Sequence, residues 1–419
     1  MLWPSLRPSQ REVGRNLALD LIAAIGVGVS AALVTTLLPT IARRGGLEPL
    51  GLAALAAAPF IANLLGAFAG RFGPRSTAQL AVLRGLGAAS LLLLFVWPTA
   101  AVMIAVSIIF WLSISFGGPF HLRLWGAMYP ARLRGRVVGL LGTGRAAAGA
   151  IAAFAGGVLA DQLGGPAAVA LAGTVGVVCA VGYAGFRAKA AERPPGFSAR
   201  ESIRALRERP ILSRVALAQG FYGGGLIAAL PLYALVYVDR LDLSLSDVGI
   251  IGILTSAATT VSFLAWGAVS DRKGPLVAMS FGSALGLLAL LAVAFAPSVV
   301  VLWVAALAAG AAGASIDVGI TSVVSDNTPM SARAAAMAGW NALTGARGIA
   351  AAFLMSALLQ VGLVDVTTGL LLCGVSTGIG VVLYARAGTA TAVSASTPVA
   401  PTTVASPRLA ASGRSSVRP

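Results

Sequence analysis

The sequence predicts an all-α integral membrane protein whose twelve transmembrane helices form two parallel six-helix bundles. Three observations carry this expectation. Hydrophobic residues make up 58% of the 419-residue chain and charged residues only 11%, with a mean hydropathy of +0.89; a soluble protein carries roughly 25% charged residues. The apolar residues fall into runs of about 20, the length of helix that crosses a ~30 Å hydrocarbon core. The chain also repeats itself at a spacing of 199 residues.

From the N-terminus, the polar segment 1–15 leads into a first run at 16–38. That run is too long for a signal-peptide core and lacks a convincing cleavage site, so it is read as the first span. Runs at 49–70, 77–97, 99–120, 137–160 and 167–186 complete an N-terminal bundle, 16–186. Pro98 separates the third and fourth spans, because proline removes a backbone donor and suits a tight connection. A charged linker occupies 187–210, and its segment 198–209 (SARESIRALRER) sets Ile203 and Leu206 on one face among charges. This predicts a short amphipathic helix on the membrane surface. The C-terminal bundle, 211–386, takes runs at 211–238, 248–269, 276–296, 299–324, 334–360 and 366–385, with Pro297 dividing its third and fourth spans. Residues 387–419 are rich in Ala, Ser, Thr and Pro, a composition that predicts a disordered tail.

The net charge of +16 would suggest nucleic acid on a soluble chain. Here twenty-four of the thirty basic residues fall on one side of the twelve runs, three (Arg43, Arg44, Arg240) on the other, and three (Arg84, Arg145, Arg347) within runs. Basic residues are retained on the cytoplasmic side, which places both termini in the cytoplasm and the chain in the cytoplasmic membrane, with no nucleic-acid partner. Cys179 and Cys373 lie inside apolar runs and His121 is the single histidine. With no zinc-ligand spacing, no phosphate-binding G-x-x-x-x-G-K loop and no converging nucleophile, neither a metal, a cofactor nor an enzymatic activity is expected.

At the 199-residue offset Arg15 falls on Arg214, Gly26 on Gly225, Pro98 on Pro297, Pro130 on Pro329, Arg134 on Arg333 and Phe154 on Phe353. Loops 66–75 (GAFAGRFGPR) and 267–276 (GAVSDRKGPL) match at 201. Six spans per copy is an even number, so the copies are parallel, and rocking about their interface opens a central site to each side in turn. The chain resembles the major facilitator superfamily. Gly267, Asp271, Arg272 and Gly274 match its G-x-x-x-D-R/K-x-G loop signature; Gly66, Gly73 and Arg75 belong to the first copy, which has Gly70 at the acidic position. The run from Pro130 through Arg134 and Gly135 to Arg136 resembles its P-x-x-x-R-G-R loop. The resemblance implies gating at these loops, with the charge contact surviving only through Asp271. Of the exporter pattern G-P-x-x-G-G, Gly156 and Gly157 remain, while Ala152 and Ala153 replace Gly-Pro.

Ionisable side chains within spans cost roughly 2.5–3.5 kcal/mol on insertion scales, so they pair or face a cavity. Arg84, near the start of its span, is expected to snorkel to the surface. Asp20 with Arg145, and Asp317 with Arg347, are expected as ion pairs and as candidates for proton coupling. Asp20 is favoured because its repeat partner, Gln219, does not titrate. The resemblance makes Asn63, Trp111, Gln219, Tyr222, Trp266, Trp340 and Asn341 candidates for the wall of a central cavity. The expected activity is secondary transport of a small amphipathic or apolar organic solute, coupled to protons and directed outward. Uptake by symport or facilitated diffusion, and a non-transporting sensor or scaffold, are the alternatives. The expected partners are the solute, protons and the bilayer, with the chain acting as a monomer.

Overall fold

The computed structural model describes residues 10–66, 73–188 and 199–396. Among them, twelve helices are long and apolar enough to cross a membrane. One bundle holds α1 (Gln10–Arg44), α2 (Pro49–Gly66), α3 (Thr77–Phe95), α4 (Ala100–Met128), α5 (Ala131–Leu163) and α6 (Gly165–Ala184). A linker helix, α7 (Ala199–Arg207), leads to α8 (Pro210–Arg240), α9 (Leu245–Lys273), α10 (Pro275–Ala294), α11 (Val299–Asn327), α12 (Met330–Gln360) and α13 (Val366–Ser396). Several helices overrun the apolar runs, because backbone bonding continues past the hydrocarbon. The last helix reaches Ser396, well into the segment read from composition as disordered; residues 397–419 and 1–9 lie outside the described residues.

The internal repeat has a three-dimensional counterpart. Arg134 donates to the carbonyls of Tyr129 (2.9 Å) and Gly126 (2.6 Å), closing the C-terminal end of α4. Arg333 donates to those of Thr328 (3.1 Å) and Ser325 (2.7 Å) at the end of α11. All three positions in each set are related by 199 residues. Cationic donors suit the unsatisfied carbonyls of a helix C-terminus, so these arginines act as caps, while Arg136 is exposed. The linker helix departs from its expected attachment. Ser202 and Leu206 are buried against Gly339 of α12 and Ile203 is exposed, so its packed face rests on the bundle.

The face bearing α7 is called here the linker face and the opposite one the distal face. Between the bundles, α5 packs along α9 and α2 along α12. A Cβ on Gly249 would lie 2.5 Å from the Ala153 carbonyl oxygen, and one on Gly345 2.7 Å from that of Phe60. Glycine at these two positions is what lets the backbones meet. One turn toward the linker face from Gly345, Asn341 is exposed; on α9 the buried residues run from Leu245 to Gly252 and, apart from Ser270, stop there. The bundles therefore touch in the distal half and diverge toward the linker face.

Polar bonds reinforce the distal closure. Arg43 grips both carboxylate oxygens of Asp239, with Nη2 at 2.7 Å, and Arg44 donates to the Leu243 carbonyl. Gln360 donates to Glu48 (2.8 Å) and accepts from the Leu50 amide (3.0 Å). At the start of α9, Ser244 and Asp247 form a capping box, which leaves the next two amides open. Both, Leu245 and Ser246, donate to the Asp161 carboxylate of α5 at 2.9 Å. A side chain of one bundle thus completes the helix cap of the other. An N-cap residue is worth about 0.5–2 kcal/mol, so Asp161→Ala should raise the distally open population roughly tenfold. Spin-label distances between the 45–48 and 361–365 loops would read this shift; an unchanged distribution would contradict it.

Candidate functional site

Where the bundles part, they enclose a cavity of about 580 Å³, within the range of small-molecule sites. Its distal shoulder is built by two π-helical turns, Leu33–Leu37 in α1 and Val236–Arg240 in α8. Such a turn inserts an extra residue into the helix, here beside Thr35, Thr36 and Tyr237 of the wall. Phe60, Trp111 and Tyr233 add aromatic surface, and α10 and α11 present Ala, Val and Leu. The Thr255 hydroxyl is already spent on the Ile251 carbonyl (2.8 Å), so its oxygen meets the cavity as an acceptor. None of the described lining residues is charged.

Polar groups continue the lining stripes toward the linker face. Asn63 lies one turn beyond Pro59 on α2, and Asp317 two turns beyond Ala309 on α11; both are exposed. The Arg347 guanidinium lies against Gly223 of α8, two turns from the cavity-lining Leu230, and donates to the Gln219 carbonyl at 2.5 Å. Asp317 and Arg347 do not pair. The Gly223–Gly224 step leaves room for Arg347 to lie along α8, away from α11. Gln219 accepts from the Tyr384 hydroxyl inside the C-terminal bundle.

Asp20 and Arg145 do not pair either. The Arg145 backbone carbonyl packs at Gly28, two turns along α1 from Asp20, about 12 Å away, and its side chain is exposed. Asp20 is fully buried and faces α4. One carboxylate oxygen accepts from His121 Nε2 (2.9 Å), the other from Trp125 Nε1 (2.7 Å) and the Tyr129 hydroxyl (3.1 Å). Residues four apart share a helix face, so α4 offers three donors in a row. Tyr183 and Phe186 enclose the His121 ring, with centroids 5.1 and 6.0 Å away. Sequence reasoning passed over His121 because no metal partner accompanied it. The signal was present: a lone histidine just past the fourth apolar run, followed at four and eight residues by Trp and Tyr.

The remaining candidates divide clearly. Trp111 lines the cavity. Tyr222 and Trp340 are instead packed in the C-terminal core, Tyr222 against Tyr384, because their faces of α8 and α12 point into the bundle. Trp266 donates to the Ala311 carbonyl at 2.8 Å, tying α9 to α11. Arg84 does not snorkel: only 9% of its surface is exposed. In the signature loops, Gly274 has φ +90°, which favours glycine, and Asp271, Arg272 and Arg75 are exposed. Gly267 has open space beside it, Gly66 abuts Ser115, and Gly73 is buried. Gly70 lies outside the described residues. Among the described residues no group of three His, Cys, Asp or Glu could hold a metal.

The sequence matches the profile of the Major Facilitator Superfamily over residues 21–299 and 215–416. No protein of curated function matches it. The fold is similar to that of a mutant of the nucleoside transporter NupG, with a TM-score of 0.71 at 13% identity over 89% of this chain and 99% of that one. It is also similar to a bacterial homolog of the human lysosomal transporter Spinster in an inward-facing, unoccupied conformation, with a TM-score of 0.68 at 14% identity over 91% and 98%. The POT family transporter PepTSo gives 0.62 at 11% identity over 94% and 99%. Profile, span count and architecture agree: the chain belongs to the Major Facilitator Superfamily, a multi-pass membrane transporter and not an enzyme.

Proposed function

We propose that the chain is a proton-coupled secondary transporter that exports an uncharged, amphipathic organic solute across the cytoplasmic membrane. The observation that carries the coupling is the buried Asp20 carboxylate held by His121, Trp125 and Tyr129. An ionised carboxylate accepts all three bonds; once protonated it must donate one and accepts the others more weakly. Protonation therefore loosens α1 from α4. The same two helices carry Thr35 and Trp111 in the cavity wall, so proton and solute act on one pair of elements. Coupling requires that each ligand favour one conformation over the other, and a shared α1–α4 contact supplies that difference.

The uncharged cavity supports an uncharged solute, since a buried unpaired charge would be strongly disfavoured there. An amphipathic solute that enters through the lipid unaided is one that a proton gradient can be used to expel, which supports the outward direction. The excess of basic residues on the linker face supports a cytoplasmic orientation for that face. This conformer is then inward-open, poised to take solute from inside. Both bundles reside in one chain, which supports a monomeric unit.

In proteoliposomes, Asp20→Asn should abolish pH-gradient-driven transport of an uncharged aromatic probe while leaving probe counterflow within about threefold of wild type. Unchanged gradient dependence would sink the coupling assignment. Trp111→Ala should raise the KM for the same probe about tenfold, the loss of one aromatic contact worth ~1.4 kcal/mol; binding measured with a charged analogue should be negligible in both proteins.

A further inference from the structure

A second cavity lies inside the N-terminal bundle among α1, α3, α4 and α6 and shares no lining residue with the central one. Its volume is about 10 Å³, room for roughly one water-sized sphere. Arg84 lines it and is more than nine-tenths buried. Its Nε and Nη1 have no hydrogen-bond partner among the described residues. The guanidinium lies over the Tyr183 ring at 5.9 Å, a contact that uses its face and leaves those N–H groups unspent. The other polar lining groups are the hydroxyls of Ser30, Ser113 and Tyr183, and no carboxylate lines the cavity. Asp20, the buried carboxylate of this bundle, already accepts three bonds from α4. Arg145 adds a second positive charge within electrostatic range of Arg84.

A buried cation with unspent donors and no counter-charge is strongly unfavourable. We propose that this cavity binds a monoatomic anion of the chloride class, held by the Nε and Nη1 hydrogens of Arg84. The Ser30 and Ser113 hydroxyls now donate to the carbonyls of Ala172 (2.9 Å) and Phe110 (2.7 Å); each would exchange that bond for one to the anion. Chloride is somewhat larger than water, so the wall must yield slightly to admit it, and polyatomic oxyanions such as phosphate are too large. Water is the competing occupant: it accepts the same bonds but leaves the charge uncompensated. This site is independent of proton coupling at Asp20.

The test is thermal unfolding of the purified full-length chain in sodium chloride against sodium gluconate at equal pH and ionic strength. The expected result is a saturable rise in Tm of roughly a few degrees in chloride alone, lost in Arg84→Gln and kept in Arg204→Gln, which alters an exposed arginine of α7. Equal Tm in the two salts, or a chloride response that survives in Arg84→Gln, overturns the proposal. Crystals of the unmodified protein grown in bromide make the outcome independent of how Arg84→Gln folds. An anomalous peak within hydrogen-bond reach of Arg84 Nε is expected; water there, with bromide bound elsewhere, overturns it.

Discussion

Hydrocarbon offers no hydrogen-bond partner, so a polar group carried into the membrane is costly unless it finds one within the protein. This constraint fixes how the helices are rotated about their axes. Asp20 can be buried only where α4 turns His121, Trp125 and Tyr129 toward it. Arg347 lies along α8 because the Gln219 carbonyl is within reach past a glycine step. Trp266 is anchored by a carbonyl of α11, and the threonines of α9 return their hydroxyls to carbonyls one turn back. Each of these bonds satisfies a donor or acceptor that would otherwise be left open within the membrane. What remains for the central cavity is aromatic surface, small apolar side chains and a few oxygen acceptors, which is why its chemistry is uncharged.

The same constraint shapes the interface on which the bundles move. Packing across it cannot rest on hydrophobic burial, because lipid tails are as apolar as leucine; it rests on close backbone approach and on polar bonds. Gly249 and Gly345 provide the first. The second is concentrated at the distal face, where water competes for every bond: the Arg43–Asp239 pair, the Gln360 bonds and the Asp161 cap. Bonds that water can replace open and close at modest cost, so a closure built this way holds the distal side without freezing it.

The fold class and the number of spans were legible in the sequence because they depend on composition and length, which bilayer thickness translates directly into spans. The repeat was legible too, down to Arg134 and Arg333, which make the same two carbonyl bonds five and eight residues back. The site was legible only in part. Asp20 and Trp111 stood out as a costly charge and an aromatic in a span, but their surroundings depend on helix rotation and tilt, which residue spacing does not encode. Pairing Asp20 with Arg145 needed their helix faces to meet; the α1–α5 contact instead places the Arg145 backbone at Gly28. Tyr222 and Trp340 failed for the same reason, since an aromatic in a span serves the core as readily as a cavity.

The two halves share a plan but differ in their titratable groups. Asp20 corresponds to Gln219 at the repeat offset, and the α4 donors His121, Trp125 and Tyr129 correspond to Ile320, Val324 and Thr328 on α11. Ile320 and Val324 are buried in the C-terminal core. The whole constellation, carboxylate and donors together, is therefore confined to one bundle; its counterpart is a neutral amide bonded to Tyr384 from α13. Alternating access is a relative motion, so a change of charge in one bundle is enough to move it against the other. A second titrating bundle would add a second desolvation cost without adding a new direction of movement. Under the proposed coupling, the responding contact is the one between α1 and α4, and the C-terminal bundle needs no titrating counterpart to it.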